Sequence, residues 1–350
     1  MPPLSYNIPV IPRGNRNATM SNQIRQYPHD PRIFLMVRRE WYYYNPNVPP
    51  IGSGAMGVVY QGFSCIGNQP VAIKAVRYPY YNNPQIRERA REEASLAFRH
   101  QNLIEMLGYC EYAPNYGPIY LVSNFVQGEA IDKYSKTLAE SPMRIEKICF
   151  AICAVLDALD FIHAHNLVHR DVKPSNIMVE NNSNVRLMDL GIAKINTGNP
   201  YSHFGFIGTP EYSAPEQIRG ERVCIDKTTD IYALGITFYE LLTGVNPMSC
   251  AIEADTLKKQ MTEPLPSSSK IPRKLFKVIL KATEKEQSKR YQTAQQFKIA
   301  IQDAIQPSPS IWVRLGEWIN DKILIFIGVM VLFIFAISTV IFIFKGILWS

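Results

Sequence analysis

A short polar stretch, residues 169–176, carries side chains whose types and spacing suit the transfer of a phosphoryl group. It reads His-Arg-Asp-Val-Lys-Pro-Ser-Asn. Asp171 can orient an attacking hydroxyl and accept its proton, and Lys173 can neutralise charge that grows on the transferred group. Asn176 offers a hard oxygen ligand of the kind that Mg²⁺ prefers. The stretch therefore predicts a catalytic loop, with a polar loop of scattered charges as the alternative.

A glycine-rich segment lies earlier in the chain. Gly52, Gly54 and Gly57 follow the pattern G-x-G-x-x-G-x-V, which ends at Val59. Glycines at this spacing let backbone amides approach phosphate oxygens closely. Dinucleotide-binding folds use similar glycines but continue into a helix. Here a strand-like run follows and leads to Lys74, 17 residues after Gly57. A lysine at the end of an apolar strand requires an anionic partner, and nucleotide phosphates supply one.

The side chain of Lys74 also requires an acid to hold it in place. Three glutamates lie on the next predicted helix. We favour Glu92, because Leu96 one turn later would face the core, and Glu88 and Glu93 are its rivals. The alternative is that all three glutamates are solvated helix charges.

Two further segments follow in order. Asp189, within Met188-Asp189-Leu190-Gly191, comes after an apolar strand and would be a second Mg²⁺ ligand that bridges phosphates. Residues 208–216 read Gly-Thr-Pro-Glu-Tyr-Ser-Ala-Pro-Glu and end at Glu216, 27 residues after Asp189. A buried glutamate there would need a cation, for which Arg290 is the candidate.

Together these segments resemble the eukaryotic-like protein kinase family, and the resemblance covers about residues 51–305. It implies an α+β, bilobal protein kinase fold with a small β-rich N-terminal lobe, a larger helical C-terminal lobe and ATP in the cleft. ATP and Mg²⁺ would be the cofactors, and proteins with serine or threonine the substrates. Lys173 followed by Pro174 is typical of the serine/threonine branch, and Thr209 suits it. The Pro215-Glu216-Gln217 ending resembles bacterial membrane-anchored members.

The resemblance assigns three sets of site residues. Asp171 would be the catalytic base, and Lys173 would contact the γ-phosphate. Asn176 and Asp189 would hold Mg²⁺, and Asp230 would brace the catalytic loop from below. The nucleotide-binding set comprises Gly52, Gly54, Gly57, Val59, Ala72, Lys74, Glu92, Asn124 and Val126.

The chain departs from the family pattern at several positions. Val48-Pro49-Pro50 stands where the first strand of the family runs. Because proline cannot donate to a β-ladder, we expect that strand to be short or irregular. Ser123 occupies the position that walls the adenine pocket, where a larger side chain is usual, and Tyr232 replaces a tryptophan. The changes near Ser123 bear on the nucleotide pocket rather than on the phosphate chemistry.

Composition indicates a folded protein with tails. With 47% hydrophobic and 19% charged residues, the 350-residue chain can bury a core. Residues 1–40 are rich in proline, asparagine and arginine, which predicts a disordered basic tail. We predict the kinase domain over residues 41–306. Its first part should be strands with one helix near residues 84–98, and residues 130–305 should be mainly helical.

Charge and cysteine content exclude other classes. Six arginines against two acids give residues 1–50 a net charge of +4 out of +7 for the whole chain. The remainder lacks the basic excess of a nucleic-acid-binding domain, so we expect no nucleic-acid partner. The six cysteines lack metal-site spacing, and we expect reduced thiols, with Cys149 and Cys153 buried on a helix.

The C-terminal region carries a candidate membrane span. After a linker at residues 307–322, residues 323–344 contain no charge. As a helix they would extend about 33 Å, against about 30 Å of bilayer hydrocarbon. We therefore predict one transmembrane helix in the lipid bilayer, a short tail at residues 345–350 and a cytoplasmic kinase domain. No secretory signal pattern opens the chain, and we expect no sensor domain after the span.

Two other functions fit parts of this pattern. A pseudokinase scaffold would present a kinase-shaped surface at a membrane, but Lys74, Asp171, Asn176 and Asp189 are all intact. A small-molecule kinase of the same wider fold would normally lack the segment at residues 208–216.

The region between the second metal ligand and Glu216 is expected to regulate activity. Arg170 precedes the predicted base, and an arginine there can pair with a phosphate and order the loop. We favour Thr197 or Ser202 as the acceptor, and expect Thr209 to have a structural role near Lys173. Self-association for phosphorylation in trans would be compatible with this scheme.

Overall fold

The computed structural model describes residues 23–54, 57–78, 80–95, 98–113, 116–189, 209–221 and 224–306. These residues form a β-rich N-terminal lobe and a larger helical C-terminal lobe, which confirms the mixed kinase-type fold predicted from the sequence. Among them, no helix is both long and apolar enough to cross a membrane. The linker at 307–322, the predicted span at 323–344 and the tail at 345–350 lie outside the described residues.

The N-terminal lobe is built on one antiparallel sheet. Its strands are β1 (Ile24–Gln26), β2 (Ile33–Val37), β3 (Glu40–Tyr44), β4 (Gly52–Ser53), β5 (Gly57–Ser64), β6 (Pro70–Val76), β7 (Met106–Ala113) and β8 (Tyr116–Asn124). Their order in the sheet is β1-β2-β3-β5-β6-β8-β7, with the short β4 paired to β5. Helix α1 (Pro84–Ser95) packs against β7 and β8 and begins at residue 84, where the sequence predicts a helix.

Strands β1 and β2 correct the prediction that residues 1–40 are disordered. Ile24, Leu35 and Val37 are buried in one cluster with Cys110 of β7. The Sγ of Cys110 donates to the carbonyl oxygen of Gln23 (3.3 Å). The residue before β1 therefore contacts β7, the strand at the opposite end of the strand order. The prediction is wrong for residues 23–40 because pairing and burial outweigh a polar average composition. Residues 1–22 lie outside the described residues.

The strand that was predicted to be short or irregular is interrupted, as expected. β3 ends at Tyr44 and β4 begins at Gly52, and both pair with β5. The intervening residues 45–51, which include both prolines, form no strand. Proline therefore interrupts the ladder where its missing N–H would be needed.

The helices of the C-terminal lobe are α2 (Ile131–Thr137), α3 (Arg144–Ala164), α4 (Pro215–Ile218), α5 (Lys227–Thr243), α6 (Glu253–Thr262), α7 (Arg273–Ala282) and α8 (Ala294–Ile305). The lobe is organised around two buried helices, α3 and α5. Most apolar side chains of α3 are buried, among them Cys149 and Cys153, and all six cysteines are free thiols. Gly235 lets α5 approach α7, because a Cβ there would lie 2.6 Å from a methyl of Thr283.

A small sheet presents the catalytic loop. Its strand order is β11-β10-β9, formed by β9 (Gly128–Ala130), β10 (Ile177–Glu180) and β11 (Val185–Leu187). The loop at residues 165–176 therefore runs between the end of α3 and the start of β10.

Candidate active site

Asp230, in the first turn of α5, fixes the backbone of the catalytic loop. Its carboxylate accepts hydrogen bonds from the N–H groups of His169 (2.8 Å) and Arg170 (2.7 Å), and lies 2.8 Å from Nε2 of His163. Complete burial opposes the charge on Asp230, but His163 and the His169 N–H outweigh it and lower the pKa. Arg170 has φ of 65°, a costly left-handed conformation that the bond to Asp230 stabilises. The bracing contact that the resemblance implied is present.

The predicted base lies among three side chains to which the sequence analysis gave other roles. Nδ2 of Asn176 donates to Oδ2 of Asp171 (2.8 Å), and Nζ of Lys173 lies 3.3 Å from the same oxygen. Oγ1 of Thr209 donates to Oδ1 of Asp171 (3.3 Å) and accepts from Lys173 (2.8 Å). The expected proximity of Thr209 to Lys173 is confirmed. This arrangement fixes the carboxylate in place and keeps a cation beside it.

Lys74 and Asp189 connect the two lobes. Nζ of Lys74, on β6, lies 2.8 Å from Oδ2 of Asp189, which follows β11. Desolvation opposes the charge on Asp189, but the Lys74 ammonium outweighs it and lowers the pKa of the carboxyl. The N–H of Met188 donates to the carbonyl oxygen of Asn176 (2.7 Å), which places Asp189 beside the catalytic loop.

Asn176 and Asp189 form a donor set that suits Mg²⁺. The amide nitrogen of Asn176 is engaged by Asp171, which leaves its oxygen as the ligating atom. One carboxylate and one amide oxygen, completed by phosphate oxygens and water, match the preference of Mg²⁺ for few protein ligands. Among the described residues, no cluster of three histidine, cysteine, aspartate or glutamate side chains suits a metal. Because Asn176 and Asp189 supply only two oxygens, the metal would bind together with phosphate oxygens of the nucleotide.

The glycines of the glycine-rich segment have different surroundings. The N–H of Gly54 donates to the carbonyl oxygen of Gly57 (2.9 Å), which closes a tight hairpin between β4 and β5. A Cβ on Gly57 would lie 2.6 Å from the carbonyl oxygen of Ala75, whereas one on Gly54 would meet nothing within 4 Å. Gly57 thus permits close strand packing, and Gly54 borders open space where a phosphate could approach. Gly52 lies on β4 opposite Val59.

The other predicted nucleotide contacts lie on adjacent strands. Val59 and Ala72 lie on the paired strands β5 and β6, and Val126 is buried just after β8. Asn124 donates from its N–H to the carbonyl oxygen of Glu105 (3.0 Å) and from Nδ2 to the Glu105 carboxylate (3.1 Å). These two donors are directed within the protein, so Asn124 could meet a nucleotide only through other atoms.

Helix α1 is held by arginines that the sequence analysis missed. The guanidinium of Arg87 is buried, lies 2.6 Å from Glu111 on β7, and donates to the carbonyl oxygens of Tyr81 and Gly117 (both 2.8 Å). Arg91, one turn later, lies 3.0 Å from Glu111. An arginine in a polar helix resembles a solvated charge, so the sequence gives no signal for its burial. The side chain of Glu92 lies outside the described part of α1, so its pairing with Lys74 stays a prediction.

The segment after the catalytic loop ends in the predicted ion pair. Glu216 and Arg290 are both fully buried, with nitrogen–oxygen distances of 2.8 and 2.9 Å. Oγ1 of Thr229 donates a further hydrogen bond to Glu216 (2.8 Å). The prediction of this pair is confirmed. Gly208 and the candidate acceptors Thr197 and Ser202 lie outside the described residues.

Comparison with known proteins agrees with this geometry. The protein kinase domain family matches residues 46–300. Serine/threonine-protein kinase PrkC of Bacillus subtilis is 32% identical over 261 residues, which cover 73% of this chain and 39% of that protein. Serine/threonine-protein kinase PknB of Mycolicibacterium smegmatis is 33% identical over 258 residues, covering 71% and 41%. The crystal structure of the Mycobacterium tuberculosis PknI kinase domain is similar with a TM-score of 0.58 at 22% identity, covering 75% of this chain and 96% of that one.

Fold and site together define a protein kinase domain. The chain belongs to the eukaryotic-like serine/threonine protein kinase family in its bacterial form, which confirms the resemblance drawn from its motifs. The chain spans about two fifths of the length of these two curated relatives.

Proposed function

We propose that this protein transfers the γ-phosphate of ATP to serine or threonine hydroxyls of other proteins, with Mg²⁺ as cofactor. The observation that carries the proposal is the environment of the Asp171 carboxylate. It accepts hydrogen bonds from Asn176 and Thr209, and the Lys173 ammonium lies 3.3 Å away. An oriented carboxylate next to a cation is the arrangement that transfer to a hydroxyl requires.

In the proposed reaction, Asp171 orients the substrate hydroxyl and accepts its proton as the oxygen attacks the γ-phosphorus. The bond between the γ-phosphorus and the bridging oxygen breaks, and ADP leaves with the bonding electrons. Lys173 neutralises charge on the transferred group, and Lys74 binds the phosphates that remain on ADP. Asn176 and Asp189 would hold Mg²⁺, which supplies charge neutralisation on the phosphates.

The test compares the wild type with Asp171→Asn, both as full-length protein in detergent with ATP, Mg²⁺ and a mixture of proteins. We expect phosphoserine and phosphothreonine in the wild-type reaction, detected by mass spectrometry. The variant should lose roughly 10²–10⁴-fold in rate while it still binds ATP, because Asp171 acts on the hydroxyl. Asp160→Asn, an exposed position on α3, is the matched control. Near-normal turnover by Asp171→Asn would contradict the proposal, and an inactive wild type would favour a kinase-shaped scaffold.

We also propose that residues 323–344 anchor the kinase in a lipid bilayer, with the catalytic domain in the cytoplasm. The support is compositional, since 22 consecutive uncharged residues suffice to span the hydrocarbon. Deletion of residues 311–350 should move the protein from the membrane fraction to the soluble fraction with its activity intact. Recovery of the full-length protein without detergent would refute the anchor. Protease protection of the catalytic domain in intact cells, lost on lysis, would support the orientation.

A further inference from the structure

Three polar side chains form a chain of hydrogen bonds through the C-terminal lobe. Nζ of Lys285, in the loop after α7, donates to the hydroxyl of Tyr232 on α5 (2.7 Å), which donates to Oε1 of Gln260 on α6 (2.6 Å). Nε2 of Gln260 donates to the carbonyl oxygens of Pro210 (3.2 Å) and Glu211 (2.6 Å). Each residue donates to the next, so this series of hydrogen bonds runs in one direction, from Lys285 to the backbone after Thr209.

Burial makes these hydrogen bonds consequential. The side chains of Tyr232 and Gln260 are both fully buried. A buried amide or phenol costs free energy unless it is hydrogen-bonded, and an apolar pair would pack between α5 and α6 without that cost. The buried hydrogen bonds of Tyr232 and Gln260 therefore point to a structural requirement other than packing. Because one amide group of Gln260 bonds two successive carbonyl oxygens, it fixes both the place and the direction of that backbone.

The backbone held in this way lies next to the reacting centre. Residues 210–212 form a single 3₁₀ turn that begins directly after Thr209, whose hydroxyl lies 3.3 Å from the Asp171 carboxylate. One residue spans at most about 3.5 Å, so a substrate segment that places its hydroxyl at Asp171 must pass close to this turn. On its other side, Tyr212 donates to Glu240 (2.6 Å). The turn is thus held from two directions.

We propose that Lys285, Tyr232 and Gln260 are positioning residues for the protein substrate. They hold the turn at residues 210–212 in register with Asp171, and so set the affinity for the substrate residue adjacent to the phosphorylated one. The inference rests on the proposed kinase function. The three side chains lie on α5, α6 and the loop after α7, away from the glycine-rich segment and β6, so ATP binding should not depend on them.

The test measures the KM for a protein substrate and the KM for ATP separately in Gln260→Met and Tyr232→Phe. Both variants remove the hydrogen bond between Tyr232 and Gln260, and its loss should raise the protein KM by about fivefold to tenfold, with the ATP KM within about twofold of wild type. Lys285→Met, at the far end of the chain, should act in the same direction with a smaller effect. Phe238→Leu, a fully buried position on the same helix as Tyr232, is the control that lowers stability without a shift in the protein KM.

A second measurement separates this inference from the kinase proposal. Hydrogen exchange at the N–H of Tyr212, which donates to the carbonyl oxygen of Thr209 (3.0 Å), should accelerate in Gln260→Met and Tyr232→Phe but not in Phe238→Leu. If the wild type phosphorylates no protein, the kinase proposal fails. The exchange rates alone then decide whether the hydrogen bonds from Lys285 to Gln260 hold the turn at residues 210–212. An unchanged protein KM in active, folded variants would overturn the inference, as would unchanged exchange in an inactive protein.

Discussion

Replacing Arg290 by methionine should destabilise the catalytic domain by about 3–5 kcal/mol, because it leaves the buried carboxylate of Glu216 without its counter-charge. The guanidinium also has three backbone partners that the methionine could not satisfy. These are the carbonyl oxygens of Glu284 (2.7 Å), Thr228 (3.1 Å) and Lys285 (3.2 Å). For a domain of this size each kcal/mol corresponds to roughly 2–4 °C, so the Tm should fall by about 6–20 °C.

Thermal and urea denaturation of the full-length protein in detergent would measure this loss. Lys289→Met is the matched control, since Lys289 pairs with Glu286 on the surface and its loss should leave the Tm unchanged. The double variant Glu216→Leu with Arg290→Met should recover part of the stability, because apolar replacement of a whole buried pair is often neutral. A loss below about 1 kcal/mol in Arg290→Met would refute the reasoning.

Three further predictions concern the cleft and its loop. Gly57→Ala should cost about 1–3 kcal/mol of stability and weaken ATP binding, because the new Cβ would lie 2.6 Å from a carbonyl oxygen of β6. Gly54→Ala is the control, since its Cβ would meet open space, and thermal denaturation and ATP titration of both variants measure the difference. Joint replacement of Thr197 and Ser202 by alanine should lower activity, and unchanged activity with no loop phosphate in the wild type would remove the regulatory hypothesis. Ser123→Met should abolish binding of inhibitors that carry a bulky group on the exocyclic amine of adenine while ATP use persists; equal binding by both proteins would show that Ser123 does not wall the pocket.

The parts of the site that the sequence predicted are those joined by short motifs. Asp171, Lys173 and Asn176 fall within six residues, so their meeting requires only one loop. The pair of Glu216 with Arg290 was predicted from the chemical need of a buried charge for a partner. That argument works over long separations because few candidates can satisfy it.

The parts that were missed depend on distant polar contacts. Arg87 and Gln260 lie on helices with many polar residues, where each resembles a solvated side chain, and their partners lie 24 and about 50 residues away. Strand β2 was missed for another reason. Its apolar run, Ile33–Val37, is short, and the proline and arginine content around it dominated the average.

Strands β1 and β2 contact β7 at the opposite edge of the sheet, so a stably folded fragment of this protein must include them. The family match begins at residue 46, but the described fold begins at residue 23. A protein shortened to the family boundary would lose Ile24, Leu35 and Val37 from its core, and Tyr42 and Tyr44 with them. It would also uncover the hydrogen-bonding edge of β5 along Gly62–Ser64, which now pairs with β3. The unpaired N–H and C=O groups of an exposed strand edge can pair with a second polypeptide chain. Such a fragment should therefore aggregate through its N-terminal lobe, although every catalytic residue is present.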